Sequence, residues 1–130
     1  MTGTIPTELG GLLAVSQFYI SDNYNLSGTI PTEFGLLSSL EYLDIVRTSL
    51  VGGIPSEFGL LTSLIELDIS PGYNSAFTGT IPTEIGNLVN LQYIDISRHG
   101  FAGTIPSEIG LLTYLDQLWL YVSRNFRAHT

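Results

Sequence analysis

Gly28-Thr29-Ile30-Pro31-Thr32-Glu33-Phe34-Gly35 opens a unit that recurs along the whole chain. Its first four residues return as Gly3-Thr4-Ile5-Pro6, Gly52-Gly53-Ile54-Pro55, Gly79-Thr80-Ile81-Pro82 and Gly103-Thr104-Ile105-Pro106. The isoleucines lie 25, 24, 27 and 24 residues apart, a spacing that belongs to stacked repeats rather than to a globule folded round one centre. A unit of about two dozen residues cannot bury its own apolar face, so each must stack on its neighbours. The architecture follows from this; the function does not.

Each unit divides into two halves. One reads leucine, two variable residues, leucine, one variable residue, leucine. It appears as Leu40-x-x-Leu43-x-Ile45, Leu64-x-x-Leu67-x-Ile69, Leu91-x-x-Ile94-x-Ile96 and Leu115-x-x-Leu118-x-Leu120, with Val15-x-x-Phe18-x-Ile20 a weaker first copy. The closing alternation is the period of a short strand with one face buried, and successive copies are expected to pair in parallel. The other half carries Ile-Pro, Thr or Ser, Glu, an apolar residue and Gly, then Leu12, Leu37, Leu61, Leu88 or Leu112. Proline followed by Glu predicts a helix start. The glycine three residues after the Thr or Ser predicts a stop, so one turn of 3₁₀ or α helix is all that fits.

The composite L-x-x-L-x-L … L-x-G-x-I-P-x-E-L-G-x-L resembles the plant-type leucine-rich repeat, known from ectodomains of plant receptor-like kinases and from polygalacturonase-inhibiting proteins. The resemblance covers essentially all of residues 1–130, as one array of about five units. It implies an α/β repeat solenoid: a right-handed superhelix with parallel strands on the concave face and short turns on the convex side. It also implies an extracellular recognition protein for peptides, proteins or cell-wall material. Three departures stand out. The asparagine that the family places after each strand is present at Asn23 but replaced by Thr48, Gly72, His99 and Ser123, which puts the order of that edge in question. The paired cysteines that flank many members are missing. The chain also starts and stops inside a repeat. Either the tail Ser123–Thr130 guards the last strand edge or the chain is a piece of a longer array, the reading favoured here. Uncapped ends would self-associate.

Composition narrows the partners. Twelve carboxylates face four arginines and no lysine, for a formal net charge of −8. A basic groove for nucleic acid is excluded by that balance, and anionic membranes are disfavoured. No cysteine is present, so thiol catalysis and cysteine metal sites are absent. No apolar run is long enough to span a bilayer, and the opening Met1–Pro6 does not read as a signal peptide. The compartment stays open on the residues alone.

The outward strand positions form columns about 5 Å apart if the strands pair in register. The central column is Tyr19, Asp44, Asp68, Asp95 and Trp119; beside it run Gln17, Tyr42, Glu66, Tyr93 and Gln117. On the other side lie Ser21, Val46, Ser70, Ser97 and Tyr121, then Asp22, Arg47, Pro71, Arg98 and Val122. Tyr42, Asp44, Asp68, Tyr93, Asp95 and Trp119 are the expected ligand-binding residues. Aromatics would supply area and carboxylates charge selection for a protein or peptide, and the rings would equally stack on carbohydrate. Against this, Leu-Asp-Leu-Ser is how the repeat is commonly written, so the aspartates also read as scaffold. Trp119 and Tyr121 read either as contact residues or as packing for a further repeat. Two projecting loops, with Tyr24-Asn25 and Tyr73-Asn74, make a secondary edge site; the second lies in a three-residue insertion.

No cofactor, metal site or catalytic residue is expected. Calcium needs six to eight oxygens, which the Asp column does not supply, and Glu8, Glu33, Glu57, Glu84 and Glu108 are explained by turn starts. Neither a nucleophile elbow nor a phosphate loop occurs. An acid–base carboxylate pair needs distinct environments, whereas a repeated open face gives each Asp nearly the same one. The hydroxyl columns Thr4, Thr29, Thr80, Thr104 and Thr7, Thr32, Ser56, Thr83, Ser107 resemble those of ice-binding solenoids, although Gly53 interrupts the first and turn-start chemistry accounts for the second. The leading expectation is a non-catalytic module that binds a protein or peptide on the concave strands. Carbohydrate or ice-surface binding is the alternative, and spacer units of a longer receptor-like protein the third.

Overall fold

The structure, a computed structural model, describes residues 3–70 and 77–120. Within them every helical segment is a five-residue 3₁₀ turn: η1 (Thr7–Gly11), η2 (Thr32–Leu36), η3 (Ser56–Leu60), η4 (Thr83–Asn87) and η5 (Ser107–Leu111). They alternate with β1 (Gln17–Tyr19), β2 (Ser27–Gly28), β3 (Tyr42–Asp44), β4 (Ser49–Leu50), β5 (Glu66–Asp68), β6 (Tyr93–Asp95) and β7 (Gln117–Trp119). The main sheet is parallel in the order β1-β3-β5-β6-β7, one strand per repeat. Its register joins Phe18, Leu43, Leu67, Ile94 and Leu118 on the inward face.

A second strip of sheet was not foreseen from the repeat pattern. β2 pairs in parallel with β4, and isolated bridges Gly3–Leu26 and Gly52–Phe77 extend it to either side. It uses the stretch before each Ile-Pro, where Ser27, Gly28, Ser49 and Leu50 carry no long alternating run. The pairing is therefore imposed by stacking of neighbours rather than by local propensity.

The core is a set of ladders. Ile30, Ile54 and Ile81, then Phe34, Phe58 and Ile85, then Leu37, Leu61 and Leu88 line up from repeat to repeat, all buried. Leu40, Leu64 and Leu91 and the inward strand residues complete each layer. At roughly 1.5–3 kcal/mol for each large apolar side chain buried, stacking, not any single unit, holds the array.

The turns begin directly after a proline in extended conformation, as at Pro31 (φ −66°, ψ 141°), and close with Leu37 N–H donating to Phe34 O at 3.1 Å. The glycine expected to stop each turn does something else. Gly35 lies inside η2, and a Cβ there would stand 2.5 Å from the carbonyl oxygen of Glu57 in the next turn. Gly10, Gly59 and Gly86 are held as tightly against Glu33, Glu84 and Glu108. The glycine is needed because successive turns touch backbone to backbone, a close approach that any side chain would block.

Three members of the broken asparagine column lie among the described residues and each bonds its strand exit; Gly72 and Ser123 lie outside them. Asn23 donates from Nδ2 to Ser21 O at 3.2 Å. Thr48, buried in the same slot, accepts the Leu50 N–H at 3.4 Å. His99 is 4% exposed and reaches across the repeat boundary. Its Nδ1 accepts the Phe77 N–H at 3.2 Å, so the proton sits on Nε2, which donates to the carbonyl of Ile69. The imidazole thereby joins the residues on either side of the inserted stretch, with the rings of Phe77 and Phe101 centred 4.8 and 5.0 Å away.

Candidate functional site

The candidate surface is the outward face of the main sheet, the face expected to be concave. Three-residue strands with alternating side chains leave two outward positions per repeat. The register sets Gln17, Tyr42, Glu66, Tyr93 and Gln117 in one row and Tyr19, Asp44, Asp68, Asp95 and Trp119 in the next. The expected site residues Tyr42, Asp44, Asp68, Tyr93, Asp95 and Trp119 therefore share one face. Trp119 and Tyr19, at its two ends, are more than half exposed; the tyrosines and aspartates between them are partly buried.

Each aspartate is tied to the strand exit through one oxygen. Asp68 Oδ1 accepts the Ser70 N–H at 3.0 Å and the Ser70 hydroxyl at 2.8 Å. Asp95 Oδ1 accepts the Ser97 N–H at 2.9 Å, and Asp44 Oδ1 accepts the hydroxyl of Ser21 from the neighbouring repeat. The Asp68 and Asp95 bonds hold local turns and the Asp44 bond ties neighbouring repeats, so the aspartates have a scaffold role whatever they bind. They also create a negative field. Burial pushes the Asp68 carboxyl above the usual carboxylate range, with the neighbouring Asp95 and Asp44 adding to it against the Ser70 bonds. Burial and then the charges of Asp68, Asp95, Glu66 and Asp44 push the Tyr93 phenol up as well. Charged donors would relieve this face, and anions would be repelled by it.

The exits of the strands differ in character. Asp22, Arg47 and Arg98 occupy equivalent turns with φ of 59°, 54° and 62°. Arg47 donates to Asp22 at 2.9 Å, both side chains being exposed, and this bond holds the Asp22 carboxyl below its usual range. A cleft of about 450 Å³ opens here, lined by Val46, Arg47, Ser70, Asp95, Ser97, Arg98 and Trp119. Both arginines belong to one predicted column, but nothing in their spacing along the chain announced that they flank a cleft shared with Trp119.

At the edge loops, Tyr24 is exposed and donates to Asp22 Oδ1 at 3.2 Å, next to exposed Asn25. Tyr73 and Asn74, like Tyr121, lie outside the described residues, so the pairing of the two Tyr-Asn loops is not drawn. Of the hydroxyl columns, the one after proline is locally engaged: Thr32 donates to Glu33 at 3.4 Å and Ser56 to Glu57 at 3.3 Å, with the same contact at each repeat. The other, Thr4, Thr29, Thr80 and Thr104, is exposed along the second strip of sheet. There the γ-methyl of Thr29 covers Gly52, where a Cβ would stand 2.9 Å from it; Thr4 covers Gly28 and Thr80 covers Gly103 in the same way. Among the described residues no group of three or more His, Asp and Glu is arranged to hold a metal ion.

The sequence model for the Leucine Rich Repeat family matches residues 39–61 and 90–112. No curated protein matches the chain in sequence. Among solved structures, the ectodomain of the Arabidopsis thaliana receptor kinase GASSHO1/SCHENGEN3, in complex with Casparian strip integrity factor 2, is 36% identical with a TM-score of 0.86, over 94% of this chain and 14% of that one. A plant peptide hormone receptor, RGFR1 in complex with RGF2, is 36% identical with a TM-score of 0.87, over 92% of this chain and 19% of that one. A plant ice-binding protein is 32% identical with a TM-score of 0.84, over 93% of this chain and 38% of that one. The chain thus spans less than half the length of each.

Proposed function

The chain is a leucine-rich-repeat solenoid of the plant receptor type, and on that footing we propose that it is a non-catalytic recognition module whose concave strand face binds a peptide or protein segment. The observation that carries this is the register, which sets Tyr42, Tyr93 and Trp119 beside Asp44, Asp68 and Asp95 on one continuous face. Half-buried aromatics provide anchoring area. A half-buried carboxylate with like charges on both sides favours a cationic or donor-rich ligand. The likeness to receptor ectodomains that bind peptides supports the same reading, as it does an extracellular setting and a place as one array within a longer protein. Selection of random displayed peptides against the purified chain tests it. Enrichment of sequences with Lys or Arg, displaced by none but their own kind, is expected. If only glycans on an array are retained, the ligand class is carbohydrate and the peptide reading is wrong.

A second reading rests on a different surface. The exposed Thr4, Thr29, Thr80 and Thr104 are uncharged and recur from repeat to repeat, and the methyls of Thr4, Thr29 and Thr80 lie over glycine. One structural neighbour is a plant ice-binding protein. On this reading the second strip of sheet meets ice. A gap between freezing and melting points that is lost in Thr29→Tyr is the expected result; no gap at any attainable concentration rejects it.

A further inference from the structure

The edge of the main sheet where the strands begin carries a different surface from the Asp column and from the strand exits. Glu41, Ile65 and Gln92 stand immediately before β3, β5 and β6, and Ser63, Asn90 and Tyr114 stand three positions before β5, β6 and β7. These six side chains line a cleft of about 360 Å³. It crosses four successive strands, roughly 15 Å at the usual spacing. The backbone beneath it is fully engaged. Ile65 N–H donates to Glu41 O and Gln92 N–H to Ile65 O, each at 2.8 Å, and Asp116 N–H to Gln92 O at 2.9 Å. The same three carbonyls also accept from Glu66, Tyr93 and Gln117. A peptide adding as a further strand finds no open ladder here, so recognition falls to the side chains.

Those side chains are partly fixed in advance. The Ser63 hydroxyl donates to Ser38 O and Asn90 Nδ2 donates to Thr62 O, both at 2.8 Å and both reaching back to the preceding repeat. Ser63 Oγ keeps acceptor capacity, and Asn90 keeps its Oδ1 and a second N–H uncommitted. Tyr114 takes the same position one repeat on but is 68% exposed, so its ring stands free at one end of the cleft. Half-buried Ile65 adds an apolar patch to a column otherwise made of Ser16, Glu41, Gln92 and Asp116. Neither arginine of the described residues lines the cleft, and Glu41 gives it a negative charge, which disfavours anions.

We propose that this strand-entry cleft binds a short neutral oligosaccharide. One pyranose ring stacks on Tyr114, Ile65 meets an apolar C–H face, and hydroxyls bond to Glu41, Ser63 and the carboxamides of Asn90 and Gln92. A hydroxyl both donates and accepts, so it serves a carboxylate and a carboxamide together. The apolar face of a sugar ring suits an aromatic with a polar tip. A pyranose unit is about as long as one strand spacing, so successive rings meet successive repeats. The site lies outside the Tyr-Asp columns and does not depend on the concave-face reading.

Calorimetry with cellotetraose, mannotetraose, xylotetraose and tetragalacturonate tests it. At least one neutral tetraose should bind, about tenfold or more tightly than the uronate. Tyr114→Ala should weaken that binding about fivefold or more and Glu41→Gln by a similar factor, with the circular dichroism spectrum unchanged in both. Tyr42→Ala/Asp68→Ala/Tyr93→Ala should keep saccharide affinity within about twofold. Absence of binding by every neutral tetraose up to about 10 mM, tighter binding of the uronate, or affinity untouched by Tyr114→Ala and Glu41→Gln overturns the site. So does a Tyr114→Ala chain that loses Lys- or Arg-bearing peptides without any saccharide response, which would make this edge part of the peptide surface. The concave-face reading is tested by peptides alone, so its failure and the failure of this site are distinguishable.

Discussion

His99 makes stability depend on pH with a calculable size. The buried ring accepts the Phe77 N–H at Nδ1 and donates to Ile69 from Nε2, a pattern open only to the neutral imidazole. Burial lowers its pKa from 6.5 to about 4, against smaller opposing effects of the Ile69 carbonyl and the Asp95 charge. The tilted rings of Phe77 and Phe101 pack beside it and bring no charge. Between these two pKa values the unfolded chain holds a proton that the folded one does not. Stability therefore rises with pH in that window and is lost as pH falls through it. A difference of that size corresponds to about 3 kcal/mol, fully lost only below about pH 4. Carboxylates titrate in the same range, so the readout is a difference. Urea denaturation of the wild type and of His99→Asn, followed from neutral pH down to about pH 4, should show the wild type losing about 2–3 kcal/mol more than the variant. Hydrogen exchange at the Phe77 amide should accelerate over the same range in the wild type. Parallel loss in both proteins, with Phe77 protection unchanged, would refute the clamp.

Three further outcomes follow from the packing and the charge layout. Gly35→Ala places a Cβ 2.5 Å from the Glu57 carbonyl and should destabilise the chain by about 1–3 kcal/mol in chemical denaturation, whereas Gly110→Ala, whose new Cβ meets no other segment within 4 Å among the described residues, should change it by less than about 0.5 kcal/mol. Asp68→Asn keeps an acceptor for Ser70 and removes a carboxylate disfavoured by burial. Its melting temperature should hold or rise while affinity for a Lys- or Arg-bearing peptide falls. Leu67→Ala, at 0% exposure, should cost about 2–5 kcal/mol, against little for Leu60→Ala, which is 60% exposed.

How much of this was legible depends on how far each feature reaches. The strand leucines and the Tyr-Asp columns were readable because a period-two run and a fixed repeat length together determine which residues face outward and which lie side by side. Glu66 opposite Tyr42 and Tyr93 needs nothing more. The turn glycines were visible but misread. Gly35 looks like a stop signal within its own unit, and its true reason, the Glu57 backbone, lies 22 positions ahead in the next. The second strip of sheet hid for the same cause, since Ser27 and Ser49 have no pattern of their own. His99 appeared as a gap in an asparagine column. That its two nitrogens bridge repeats depends on Ile69 and Phe77 lying beside it across the insertion. The Arg47–Arg98–Trp119 cleft depends on three side chains from three repeats, and periodicity predicts columns, not the spaces between them.

The central claim is that recognition resides on the outward face of the main sheet, and one comparison tests it most directly. Peptides selected on the wild-type chain should be measured by calorimetry against Tyr42→Ala/Asp68→Ala/Tyr93→Ala and against a control on the opposite side, Leu36→Ala/Leu60→Ala/Leu111→Ala, whose side chains are all more than half exposed. With both variants folded by far-UV circular dichroism, the account predicts at least about a hundredfold loss of affinity in the first and a change within about twofold in the second. Unchanged affinity in the first variant, or loss confined to the second, would contradict it.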